Sequence, residues 1–403
     1  MVILILNVMN ISKYIPALIL TGVVLTNFNP NFMLPKLPVN YLVILVLLCF
    51  STFLLIVKKK VPVIFFLILS VIISIVPSVI NSAFTDVSTF KLVVFSLGTF
   101  SYLIALDYSC KTNKNTLDIM FNLFRGILLS SAVTYLIGFG YPRNETGFAG
   151  ILNHPQAFGI LLVFIFTFQI HKLLSQKSNI GDYLFIFLTV VMVYGTESRT
   201  AFLCVCIIFI FTFFLHTKNT WKQKTKKQKK VFFFILLFGF SCTPLLVGTI
   251  NQVMSKHGRS EASSAVGALQ NSRLRFVISS IDNFMSNPLT GIGFQVSNGH
   301  GAHYPMEIER GPFGIPIKAP IEKGSFFPSL FEEVGLIGAL PFIILLHWIF
   351  SYRRDAILTK SIILAVLLLS FGEATLFSYG SIGALNWLFV FYALSLVKYR
   401  RIK

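Results

Sequence analysis

The sequence predicts an all-α polytopic membrane protein of about twelve transmembrane helices, with one long loop outside the bilayer that carries short amphipathic helices. Three observations predict it. Of the 403 residues 55% are hydrophobic and only 12% charged, whereas a soluble domain carries about twice that charged fraction. Apolar runs of about 20 residues recur along the chain, the length that crosses a hydrocarbon core of roughly 30 Å. Between Asn251 and Ser325 that pattern breaks and the chain turns polar. An outer-membrane barrel would show short alternating segments in place of continuous Leu, Ile and Phe runs.

Bounded by charge, Pro, Gly or Asn, the candidate spans are 12–28, 39–57, 61–82, 89–107, 117–140, 150–171, 181–197, 199–216, 231–250, 326–350, 359–375 and 379–397. They divide the chain into nine spans over 1–250, an extramembrane segment over 251–325 and three spans over 326–403. Pro155, Pro244 and Pro341 interrupt apolar stretches, but not at the paired positions that inverted transporter repeats would show.

Orientation follows from the basic residues. Lys58-Lys59-Lys60, Lys111, Lys114, Lys172, Lys177, the Lys218–Lys230 cluster, Arg353-Arg354 and Lys398 to Lys403 fall on one side of a twelve-span arrangement. The opposite loops carry Lys36, Arg143 and Arg199. The positive-inside pattern then places both termini in the cytoplasm and the 251–325 segment outside. The same placement explains the net charge of +19 without nucleic acid, because juxtamembrane Lys and Arg set topology and touch anionic lipid. The five cysteines, Cys49, Cys110, Cys204, Cys206 and Cys242, lie in or beside apolar spans, which fits neither a disulfide framework nor a CxxC metal site. Cys204 and Cys206 are two apart and point different ways on a helix. The start shows no cleavable-signal pattern, so the first span is expected to stay in place.

Five groups of polar residues stand out against this background. Arg199, in Glu197-Ser198-Arg199-Thr200-Ala201, sits between two spans on the outer side. Its planar guanidinium suits a lipid phosphate, and it equally suits an interfacial pairing with Glu197. Arg273 and Arg275 precede Ile278, Ile281 and Phe284 at helical spacing, which predicts an amphipathic helix along the membrane face. Pro288 ends it, and Gly291-Ile292-Gly293 forms a turn. His300, His303, Glu307 and Glu309 offer a general base, a weak metal pattern, or a solvated loop. Glu332 and Glu333 lie about two turns into a span, where carboxylates are costly and must face a cavity, the protein interior or a cation such as an Arg. Glu322, with Lys323 beside it, is better placed at the mouth to act on a substrate. Asn153-His154-Pro155-Gln156 opens a span on the outer side, where His-Pro fixes a helix start. Arg125 and Glu373 are further ionisable residues within spans.

Taken in order, Asn153-His154-Pro155-Gln156, Glu197-Ser198-Arg199-Thr200-Ala201, Ser272-Arg273-Leu274, Asn287-Pro288-Leu289-Thr290-Gly291-Ile292-Gly293 and Glu332-Glu333-Val334-Gly335-Leu336-Ile337-Gly338 resemble the O-antigen ligase and polymerase family of bacterial membrane proteins. The likeness covers roughly 145–345. It implies a GT-C-type, metal-independent glycosyltransferase without a cofactor, acting at the periplasmic face of the inner membrane. Its partners would be an undecaprenyl-pyrophosphate-linked oligosaccharide, an acceptor glycan, membrane lipid and a chain-length regulator. Arg199 and Arg273 match the two family arginines that hold the pyrophosphate; Arg275, His154 and Lys323 are the further substrate-binding candidates. In the ligases a His precedes the Glu-x-Gly motif, whereas this chain reads Lys323-Gly324-Ser325. The base is then Glu322 or His303, with His300 behind them. The resemblance implies a polymerase of lipid-linked repeat units of O antigen, capsule or exopolysaccharide. The alternatives are a ligase that moves the glycan to lipid A-core and, in another class, a flippase of lipid-linked sugars.

Overall fold

The computed structural model describes residues 12–32, 39–58, 62–113, 115–142, 147–175, 179–220, 274–297, 307–311, 314–319, 321, 323–352, 357–379 and 382–400. These form an α-helical bundle. In chain order the helices are α1 (Ile15–Thr26), α2 (Val39–Lys58), α3 (Val63–Ile80), α4 (Thr85–Thr112), α5 (Thr116–Leu136), α6 (Pro155–Ser175), α7 (Ile180–Gly195), α8 (Arg199–Thr220), α9 (Arg275–Ser286), α10 (Phe326–Ser351), α11 (Ile357–Gly372) and α12 (Ala384–Arg400). Seven of them, α2 to α6, α8 and α10, are long and apolar enough to cross a membrane, and α1, α7, α11 and α12 are shorter apolar helices. The architecture is that of a polytopic all-α membrane protein. Eleven of the twelve expected spans appear as helices; the expected span 231–250 lies outside the described residues.

Two helices form the centre. α6 is apolar all round, and 83% of its spanning window is buried, as expected for a helix surrounded by others. α12 is buried along nearly its whole length. Phe164 of α6 stacks on Phe389 of α12 with ring centroids 4.6 Å apart. α4 packs on α2 and α12, α10 on α3 and α9, and α8 on α6 and α11. Cys204 is buried and Cys206 exposed, the two directions that their spacing requires.

The bundle has two distinguishable ends. At one, Arg125 Nη2 and Lys172 Nζ both reach Asp182 Oδ1, at 3.0 and 2.8 Å. Asp182 also closes a capping box with Asn179 at the start of α7, so Arg125 has a structural explanation. The connections from α1 to α2, α5 to α6, α7 to α8 and α11 to α12 lie at the other end. There the Asn29 backbone N–H donates to Ile151 O and the Asn40 amide donates to Tyr379 O. Thr200 packs against Gly372, and Phe327 lies 4.6 Å from Phe371. The starts of α8 and α10 and the end of α11 therefore share this second end.

α10 is not continuous. Gly335 has φ 58° and ψ −166°, outside the helical region. The break frees backbone groups on both sides, and an unpaired backbone group inside a membrane protein costs several kcal/mol, about 2–7 by most references. The 288–293 segment supplies the partners. Ile292 N–H donates to Glu332 O (2.9 Å) and Gly293 N–H to Glu333 O (3.1 Å), while Leu336 and Ile337 N–H donate to Pro288 O (2.9 Å) and Leu289 O (3.0 Å). Gly291 also has positive φ (71°), and a Cβ there would meet Glu332 O at 2.6 Å. The two glycine motifs of the sequence thus interlock.

Candidate active site at one end of the bundle

The break in α10 aims two consecutive carboxylates at one cation. Lys323 Nζ lies 3.3 Å from Glu332 Oε2 and 3.2 Å from Glu333 Oε1, and all three side chains are buried. Each carboxylate has further donors. Ser280 Oγ and Asn283 Nδ2 of α9 donate to the two oxygens of Glu332, at 2.8 and 2.7 Å. The Gln295 N–H donates to Glu333 Oε2 at 3.0 Å. Buried charges persist only when paired; here both carboxylates accept hydrogen bonds, and the Lys323 ammonium meets them as an ion pair without a hydrogen bond of its own.

The partner of Glu332 and Glu333 is therefore a lysine a few residues upstream, where the sequence pattern suggests an arginine. Lys323 itself sits inside the wall and does not project from the mouth. A second lysine completes the arrangement. Lys91, nearly two turns into α4, donates from Nζ to Gln295 O (2.6 Å) and Ala319 O (2.7 Å), so one ammonium ties two parts of the segment between α9 and α10 to the bundle. Gln295 is held from three directions, since its side chain also donates to Phe377 O at 2.7 Å. It adopts φ 54°, a left-handed conformation that a non-glycine residue keeps only when its surroundings impose it.

These groups wall a cavity of about 500 Å³ whose lining includes Lys91, Lys323, Glu333, Gln295, Tyr41 and Tyr379. Polar groups converging on one concavity of this size are the usual form of a small-molecule site.

α9 confirms the expected amphipathic helix and shows which face goes inward. Phe276, Ser280 and Asn283 are buried. Ile278, Ile281 and Met285 are exposed at 50%, 50% and 70%. The polar face turns toward Glu332 and the apolar face outward, as suits a helix bordered by lipid. Arg275 begins this helix, exposed, with its guanidinium 5.0 Å from the Phe276 ring centroid. Arg273 lies outside the described residues.

Arg199 is the first residue of α8. Its neighbour Thr200 packs on Gly372, two residues before the cavity-lining Ala374. His154 accepts the Gln156 N–H at Nδ1 (3.2 Å) and so caps the start of α6. The adjacent Asn153 N–H donates to the backbone oxygen of cavity-lining Asn27 at 2.8 Å. The sequence neighbours of Arg199 and His154 thus touch Gly372, two positions from a lining residue, and Asn27, itself a lining residue. Glu309 falls in strand β1 (Glu309–Arg310), paired antiparallel with β2 (Pro316–Lys318), and Arg310 Nη2 reaches Asp86 at 2.6 Å. Glu307 and Glu309 are exposed. Glu322, His300 and His303 lie outside the described residues. Lys91, Gln295, Ser280 and Asn283 carry no sequence signature; a lone Lys near the start of an apolar run is the one visible hint among them.

Comparison with known families matches residues 184–320 to the O-antigen ligase family. No curated protein matches the chain. The matched stretch runs from α7 through α8 and α9 to β2. It includes Arg199, Arg273, Arg275 and Gln295 and stops just short of Lys323 and the broken helix. Over residues 184–320 the chain therefore carries the domain of the O-antigen ligase family.

Proposed function

We propose that this protein is a polysaccharide polymerase of the inner membrane that joins undecaprenyl-pyrophosphate-linked repeat units at the periplasmic face. The observation that carries this reading is the cavity walled by Lys91, Lys323 and Glu333. Arg199 and Arg275 begin two helices within the matched family segment.

The chemistry follows from those positions. The acceptor hydroxyl oxygen attacks the anomeric carbon of the lipid-linked sugar, the bond from that carbon to the phosphate oxygen breaks, and undecaprenyl pyrophosphate leaves with the electron pair. Arg199 stands at a helix N-terminus, where the helix dipole and open N–H groups add to its charge. Arg273 just before α9 would face it, and Arg275 adds a third guanidinium. Donors preorganised on charge as it develops contribute the most to such a step, and a pyrophosphate leaving group needs no metal to depart. Glu322 sits in sequence between cavity-lining Ile321 and Lys323 and is the first choice to accept the hydroxyl proton; His303 is the second.

The family description favours a ligase as the second reading, in which the same site passes the glycan to lipid A-core. A flippase would need charge along a path through the bundle, whereas Lys91, Lys323 and Glu333 cluster at one end. Arg199→Ala and Arg273→Ala should each abolish chain growth while the protein remains in the membrane. Wild-type chain lengths in either variant would overturn the pyrophosphate clamp. Purified protein supplied with lipid-linked repeat units alone separates polymerase from ligase, since only a polymerase then yields longer glycans.

A further inference from the structure

A second cavity opens at the far end of the bundle, away from Lys91 and Lys323. It encloses about 310 Å³ between α3, α4, α10 and α12. Its walls are apolar, with Leu103, Trp348, Phe391 and Leu394 among them, and its polar end is formed by Asp107 and Lys398. Trp348 and Tyr352 pair there with ring centroids 5.0 Å apart, the kind of aromatic pair that marks a membrane–water boundary. Lys398 Nζ and Tyr399 OH each donate to one Asp107 oxygen at 2.8 Å. The carboxylate is thereby fully engaged, while an ammonium with three donors keeps capacity for an outside acceptor.

The sequence adds charge at this end. Lys58-Lys59-Lys60 closely precede the lining residue Pro62, Arg353-Arg354 directly follow the lining residue Tyr352, and Arg400, Arg401 and Lys403 follow Lys398, with Asp355 the one acid among these runs. Apolar crevices between spanning helices with basic rims take anionic lipid head groups.

We infer that this crevice is a binding site for an anionic phospholipid, one acyl chain lying between α4, α10 and α12 and the phosphate meeting Lys398. The site lies at the opposite end from the glycan site and does not depend on that reading.

The test uses the full-length protein in detergent, titrated with phosphatidylglycerol or phosphatidylcholine. Lipid adducts are counted by native mass spectrometry, and thermal unfolding is followed in parallel. Phosphatidylglycerol should be retained and should raise the unfolding temperature, and phosphatidylcholine should do neither. Lys398→Gln should weaken retention about fivefold, the worth of one basic contact at a lipid surface. Leu103→Trp, which fills the crevice, should remove it. Should Leu103→Trp fail to fold, Val63→Phe at the exposed rim replaces it. Equal retention of the two lipids, or undiminished phosphatidylglycerol retention in Lys398→Gln and in the filled variant, would overturn the site.

Discussion

Lys91 of α4 donates a 2.6 Å hydrogen bond to the backbone oxygen of Gln295, and this joins a spanning helix to the segment between α9 and α10 at a left-handed non-glycine residue. With the 2.7 Å bond to Ala319 O, the same ammonium holds the segment on both sides of β1 and β2. Hydrogen bonds from a charged donor contribute about 1.5–3 kcal/mol each. Lys91→Met should therefore stop glycan chain growth and speed tryptic cleavage at the exposed Arg310 in membrane vesicles. Lys91→Arg should retain part of both properties. Unchanged trypsin cleavage in Lys91→Met would refute the tether.

Lys323 pairs with two carboxylates at once. Removing one partner of a buried ion pair leaves uncompensated charge and costs about 3–5 kcal/mol. Lys323→Met should lower the thermal unfolding temperature of the purified protein markedly. The triple variant Lys323→Met, Glu332→Gln, Glu333→Gln should recover most of the loss, because no unpaired carboxylate then remains in the cluster. If the triple variant proves less stable than Lys323→Met alone, the charge account fails.

Gly335 and Gly338 give a paired test of the helix break. Gly335→Ala places a side chain in a left-handed conformation, at about 1–3 kcal/mol, and drives its Cβ into Leu289 O. Gly338→Ala meets closely only the Val334 side chain. Folded yield in membranes should fall strongly for the first and mildly for the second. Equal yields would mean that the 288–293 segment does not depend on the break.

Asn283 connects α9 to the same cluster. Asn283→Ala removes the 2.7 Å donor to Glu332 Oε1, a loss of about 1.5–3 kcal/mol for a charged acceptor. Labelling of a cysteine placed at Phe276, which is buried at the inner face of α9, should accelerate when Asn283→Ala is added. An unchanged rate would show that α9 is held by other contacts.

The spans were legible because each is a local apolar run of bilayer length, and neither tertiary contacts nor the external segment are needed to see them. Boundaries moved where tertiary hydrogen bonds override the run. α6 begins at Pro155 and not at 150, since 147–154 is a loop whose backbone pairs with Gly195, Gly140 and Asn27. α12 begins at Ala384, because the preceding loop gives its Tyr379 carbonyl to Asn40 and its Leu376 carbonyl to the Trp387 indole. The amphipathic helix was legible as two faces, but periodicity in a membrane protein does not say which face turns inward. Glu332 and Glu333 were legible as a pair in need of a cation. Their partner was not, because only the kink at Gly335 and the path of 288–293 bring Lys323 to them. Lys91 was hidden for the same reason, since its acceptors are main-chain oxygens, which every residue possesses.

The interlock between α10 and 288–293 sets a constraint on how the chain is built. An ordinary spanning helix completes its own hydrogen bonding as it leaves the ribosome and enters the bilayer. α10 cannot, because the bonds at its break come from a segment made some 40 residues earlier. The two halves of α10 become whole only when that segment returns to meet them. Assembly of the cavity wall and completion of this helix are thus one event, and a chain halted before it would hold neither.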